Sequence, residues 1–101
     1  MSADVERFFL HPAAARDLRL ATAFYRERDQ DIAIDFVKAV DHAFAAIIAS
    51  PSRWPIRNGW RRYQLHRFPF MIAYRPAGDL IEIGAIAHHK RRPDYWTRRL
   101  R

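Results

Sequence analysis

Residues 61–88 read RRYQLHRFPFMIAYRPAGDLIEIGAIAH, and the way this stretch divides decides the fold. Three segments rich in β-branched and aromatic residues are separated by turn formers. The segments are Arg61–Arg67, Phe70–Arg75 and Leu80–His88; the turns are Phe68-Pro69 and Pro76-Ala77-Gly78-Asp79. Connections this short allow only antiparallel neighbours, because a parallel pair needs a crossover of about a dozen residues or more. The stretch therefore predicts an antiparallel meander. Side chains alternate along a strand, which assigns faces. Ile81, Ile83, Ala85 and Ala87 are expected on the core side, with Tyr63 and Leu65. The opposite face is expected to be more polar, bearing Arg62, His66, Glu82 and His88 beside Gln64, Gly84 and Ile86.

Upstream of the meander the periodicity changes. From Ala13 to about Arg28 the apolar positions Ala14, Leu18, Ala21 and Tyr25 recur at helical spacing, with Arg16, Asp17, Arg19 and Arg26 on a solvated face. Pro12 suits the first turn, where its missing N–H costs nothing. A second helix is expected from about Ile32 to Ala49, with Ala33, Phe36, Val37, Val40, Phe44, Ile47 and Ile48 on its apolar stripe. Asp29 or Asp31 is its N-cap, and Ser50-Pro51 ends it. So short a joint makes the two helices an antiparallel hairpin. Residues 5–10, VERFFL, read as a short strand, and residues 51–60, PSRWPIRNGW, as a loop. The expected class is α+β: a short N-terminal strand and an antiparallel helical hairpin packed on an antiparallel sheet, in one domain spanning residues 1–101.

A chain of 101 residues, half of them hydrophobic, supports one core without covalent staples. It has no cysteine, which excludes a disulfide framework and cysteine-based zinc sites. The N-terminal MSADVERFF lacks the apolar stretch of a signal peptide, and no apolar run approaches the ~20 residues that span a bilayer. A cytoplasmic protein without membrane contact is expected. Charge is divided unevenly. Residues 1–52 carry six Lys/Arg and eight Asp/Glu, whereas residues 53–101 carry twelve Lys/Arg and only Asp79, Glu82 and Asp94. A one-sided positive field draws in acidic surfaces or phosphate backbones. The basic half also holds Trp54, Trp60, Tyr63, Tyr95 and Trp96, and cations interleaved with aromatics favour a binding surface.

The chemistry these residues offer is narrow. His88 and His89 are adjacent on a strand and point to opposite faces, so they do not chelate one ion, and neither metal nor cofactor is expected. No nucleophile elbow or glycine-rich phosphate loop is present. Acid–base cleavage of RNA would use His88 as acid or base, Arg62, Arg91 or Arg92 to stabilise the transition state, and Tyr95 to stack or donate a proton. Recognition alone would use the arginine-rich end with Tyr95 and Trp96 as anchors.

Four segments carry a family resemblance: PAAARDLRLATAFY (12–25), VKAVDHAFAAIIASPSRWP (37–55), GWRRYQLHRFPFMIAYR (59–75) and IEIGAIAHHKRRPDYWTRR (81–99). Within them, F-P-F-x-I-x-Y followed by H-x-x-R-R-P-x-Y-W is the most specific part. Together they resemble the RelE/ParE superfamily, the toxins of bacterial type II toxin–antitoxin pairs, and the ParE-like, plasmid-stabilisation branch in particular. The resemblance implies a hetero-oligomer with a cognate, ParD-like antitoxin encoded nearby, whose C-terminal segment folds onto the toxin.

Activity divides within the superfamily. RelE-like members are endoribonucleases that cut messenger RNA, usually on the ribosome, and that reading places Arg62, His88, Arg91 and Tyr95 in the site. The chain departs from several nucleases in having only arginine, with no lysine pair or carboxylate, across residues 53–67. ParE-like members poison DNA gyrase without known chemistry of their own. The R-R-P-x-Y-W ending resembles theirs, so gyrase inhibition is the favoured reading over an enzyme, with Arg91, Arg92, Tyr95, Trp96 and Arg98 as target-binding residues.

Overall fold

The computed structural model describes residues 7–92 and 94–100, without the side chains of residues 99 and 100. Strand β1 (Phe8–Leu10) leads into helix α1 (Pro12–Arg28) and helix α2 (Gln30–Ala49). Strands β2 (Ile56–Arg57), β3 (Trp60–Gln64), β4 (Phe70–Ala77) and β5 (Leu80–His88) follow, and a short 3-10 helix (Tyr95–Leu100) ends the described chain. The sheet order is β1-β5-β4-β3-β2. The meander is antiparallel as expected, while β1 joins β5 in parallel, Phe8 opposite Ile81, which makes the sheet mixed. Val5 and Glu6, assigned to the first strand from sequence, lie outside the described residues.

Local chemistry sets the helix ends. His11 caps α1, its Nδ1 accepting from the Ala13 N–H at 3.0 Å, with Pro12 in the first turn. Asp29 alone joins the two helices. Its backbone N–H closes α1 on the Tyr25 carbonyl, and its carboxylate caps α2 by accepting from the Asp31 N–H at 2.8 Å. Ala14 and Ala21 of α1 are buried, and their small size lets the helix lie close to the sheet. In α2, Phe36, Val40, Ala43, Phe44 and Ile47 face the core, while Val37, expected there, is exposed and Ala43 stands in the stripe instead.

The loop expected at 51–60 contains a hairpin. Asn58 and Gly59 both have positive φ, 54° and 84°, and join Arg57 to its partner Trp60. This is the two-residue turn that favours Asn-Gly because both central residues must be left-handed. At the far end of the meander, β4 runs on through Pro76 to Ala77. Pro76 is tolerated because β3 reaches only as far as Tyr74, so no neighbour on that side needs its missing N–H.

The face assignment of β5 holds for its first half and reverses in its second. Ala73 pairs with Ala85 and Tyr74 with Ile83, so Gly84 is an extra residue without a partner. An extra residue of this kind shifts the alternation by one. Ile81, Ile83 and Ile86 therefore belong to the helix-side core, whereas Ala85 and Ala87 lie on the opposite face. That face is not simply polar. Trp60, Ala73, Ala85, Ala87 and Trp96 form a second, smaller core upon it.

Candidate functional site

The C-terminal segment turns back over this second core. After β5 the chain tightens: the Lys90 N–H donates to His88 Nδ1 at 3.0 Å and the Arg91 N–H to the His88 carbonyl at 3.1 Å. Asp94 adopts φ 59°, a left-handed conformation that aspartate tolerates better than most residues, and its carbonyl accepts from both the N–H and the hydroxyl of Thr97. The reversal drops Trp96 onto the sheet, where it is 1% exposed. The small side chains of Ala73, Ala85 and Ala87 make its pocket, and Trp60 meets it edge to face at 5.6 Å. Burying an indole contributes roughly 4–5 kcal/mol on an area basis, an upper estimate.

Arg62 fastens the segment from the other side. Its guanidinium lies 5.1 Å from the Trp96 ring, donates to Asp94 Oδ1 at 2.6 Å, and donates to the Arg57 carbonyl at 3.0 Å. The hydrogen bond from Arg62 holds the Asp94 carboxyl below the usual carboxylate range. The charges of Arg62 and Arg57 and the Asn58 side chain act in the same direction, against the opposing effect of burial. A parallel arrangement steadies the middle of the sheet, where Arg75 lies over Trp60 and donates to Glu82 at 3.0 Å.

The residues expected at the site are thus sorted by the fold. Arg91, Arg92 and Arg98 are exposed. Tyr95 is half-buried, with the Arg91 guanidinium 4.0 Å from its ring centre. Trp96, expected among the target-binding residues, is buried beneath its neighbours. The expectation that Arg62 and His88 share a face is corrected: the extra residue at Gly84 swings the His88 ring to the helix side, 4.9 Å from Phe70. His66, expected on the polar face, is exposed in the β3–β4 loop. Burial first, then the charges of His89, Lys90 and Arg91, push the His88 pKa below its ordinary value. A neutral imidazole whose Nδ1 accepts from a backbone N–H carries its proton on Nε2. Among the described residues no three His, Asp or Glu side chains converge to hold a metal ion.

Two participants escaped the sequence reading. Arg57 lies on the β2–β3 hairpin, 3.6 Å from Asp94, and lines the same cleft as Arg91 and Arg92; the Asn58-Gly59 pair was the signal that marks it. Asp17, placed on a solvated face, instead accepts from the Ile86 N–H at 2.9 Å. Because β1 ends opposite Ile83, that part of the β5 edge has no strand beside it, and the helix carboxylate takes the place of one.

The fold so assembled is α+β, a helical hairpin packed on one face of a mixed five-stranded sheet. It superposes on a chain of the chromosomal ParDE toxin–antitoxin system from P. aeruginosa with a TM-score of 0.72 and 20% identity, covering 85% of this chain and 98% of that one. The family model for the ParE toxin of the type II toxin–antitoxin system parDE matches residues 8–93, and the chain belongs to that family. A comparison with curated proteins gives no match. No helix among the described residues is long and apolar enough to cross a membrane.

Proposed function

We propose that this ParE toxin arrests growth in the cytoplasm by binding DNA gyrase, without catalysing a reaction, and that a ParD-like antitoxin encoded beside it neutralises it in a hetero-oligomer. The observation that carries this reading is that the acid–base groups, although Arg62, His88, Arg91 and Tyr95 line one cleft, are already engaged with other partners. Arg62 is bound to Asp94, the His88 ring packs on Phe70 with Nδ1 occupied by the Lys90 N–H, and what faces solvent is the arginine set Arg91, Arg92 and Arg98. Such a surface suits binding, and His88, with Nδ1 already taken by the Lys90 N–H, offers no free acceptor for the proton that cleavage of RNA must remove. Control of growth by a paired antitoxin is also what would let the system stabilise a plasmid.

Pulse-labelling after induction of the chain alone tests the reading. Loss of DNA synthesis within minutes, with protein synthesis continuing and cells filamenting, is the expected result. An immediate stop in protein synthesis, with messenger RNA cleaved, would overturn it in favour of a ribosome-dependent nuclease. Charge reversal at Arg91 and Arg92 is expected to weaken growth arrest, whereas His88→Asn, which keeps an acceptor near the Nδ1 position, is expected to be tolerated.

A further inference from the structure

The basic surface includes a cleft of about 230 Å³ on the sheet face away from the helices. Arg57, Arg62, Arg91, Arg92 and Asp94 are its charged lining, and Met71 and Tyr95 line it too. Four arginines and one carboxylate leave a net charge of +3 in this small volume. That carboxylate is bound to Arg62 at 2.6 Å and lies 3.6 Å from the largely exposed Arg57, so Arg91, Arg92 and the outer part of Arg57 face an incoming ligand. In residues 53–101 the other acids are Asp79, at the far turn of the meander, and Glu82, bound to Arg75.

The character of the walls decides the ligand class. Binding of single strands relies on exposed aromatic rings on which bases stack. Here Trp60 and Trp96 are 5% and 1% exposed, and one face of Tyr95 is covered by Arg91. Polypeptide partners are gripped mainly through apolar anchors at the centre of the contact. None of the large exposed apolar side chains among the described residues lines this cleft; Ile56, next to Arg57, alternates to the other face of the hairpin. A cleft dominated by guanidinium groups, with Tyr95 and Met71 half-buried in its lining and no large exposed ring or apolar anchor, matches a phosphodiester backbone, which is read through guanidinium contacts.

We propose that this cleft binds the phosphate backbone of double-stranded DNA, so that the toxin engages gyrase together with the DNA that the enzyme holds. The idea rests on the gyrase reading for its biological setting and on the cleft alone for its chemistry. Each guanidinium that replaces a phosphate counterion contributes about 0.9 to the slope of log K against log salt.

The test is fluorescence anisotropy of the full-length chain with a short labelled duplex across a salt series. The same sequence as a single strand, an RNA of equal length and polyglutamate serve as competitors. Arg57→Gln/Arg92→Gln is compared with Arg16→Gln/Arg19→Gln, which removes the same charge from the exposed face of α1; circular dichroism checks that both fold. The cleft pair is expected to lower the salt slope by about 2, and the α1 pair to leave it nearly unchanged. Equal losses from both pairs would overturn the proposal, leaving only a general charge effect. So would stronger competition from single strands, RNA or polyglutamate than from unlabelled duplex. A supercoiling assay separates the two readings. Gyrase inhibition by a chain that does not bind duplex in the cleft sinks this proposal and keeps the gyrase reading. Duplex binding in the cleft without gyrase inhibition does the reverse.

Discussion

Replacing Asp94 with asparagine removes one charge from the centre of the C-terminal latch while keeping the side-chain shape and a residue that accepts positive φ. The Arg62 and Asp94 side chains are 12% and 27% exposed and meet at 2.6 Å. Removing one partner from a fully buried pair costs ~3–5 kcal/mol, and an exposed pair is worth only ~0.2–1 kcal/mol. With one partner nearly buried and the other a quarter exposed, Asp94→Asn is expected to cost about 2 kcal/mol, or roughly 10 °C in Tm for a domain of this size. Equilibrium urea unfolding followed by tryptophan fluorescence measures it, since Trp60 and Trp96 both sit in the affected core. A double-mutant cycle with Arg62→Met, which preserves an aliphatic chain against Trp96, isolates the pair and is expected to give a coupling above about 1 kcal/mol. The sign with pH follows from the depressed Asp94 pKa. Its contribution is complete above the unfolded value near 4 and is lost as pH falls through the lower folded value. The gap between wild type and Asp94→Asn should therefore be full at neutral pH and close in acid. A loss below about 0.5 kcal/mol with no coupling in the cycle would refute the latch, because an ion pair worth so little behaves as an exposed one.

Three further outcomes are expected. Trp96→Ala empties the alanine-floored pocket and should cost about 3–5 kcal/mol in the same unfolding assay. Asp17→Ala leaves the Ile86 N–H without its acceptor, and should cost about 1–3 kcal/mol and speed hydrogen exchange at that amide. His88 has a lowered pKa in the fold, so the unfolded chain binds its proton first. Its stabilisation is present above the unfolded value near 6.5 and lost as pH drops through the folded one. His88→Asn should flatten stability across that window, and an unchanged pH profile would count against the assignment.

The parts of the fold legible in sequence are those decided within a few residues. Pro12 in the first turn of α1, Asp29 or Asp31 capping α2 and Ser50-Pro51 ending it are local bargains between side chain and backbone; the structure keeps the first and last and selects Asp29 as the cap. The meander was legible for the same reason, since its turns are short and carry proline or glycine. The β2–β3 hairpin was equally local, and the Asn58-Gly59 pair announces it; reading the stretch only as a loop missed Arg57 and with it part of the lining of the basic cleft.

What the chain alone determined is its class, its two helices, its antiparallel meander and a positive C-terminal half, because composition, periodicity and capping act at short range. Tertiary structure decided which face each site residue occupies. One unpaired residue at Gly84 moves His88 to the helix side and Ala87 to the other, and whether a strand glycine bulges depends on the register of its neighbour β4. Tertiary structure also decided that Trp96 is a buried anchor and not an exposed contact. That depends on three alanines from two different strands meeting beneath a ring that follows them in the chain, and on Arg62, 32 residues before Asp94, closing over it. Such contacts join residues far apart in sequence, and no local pattern records them.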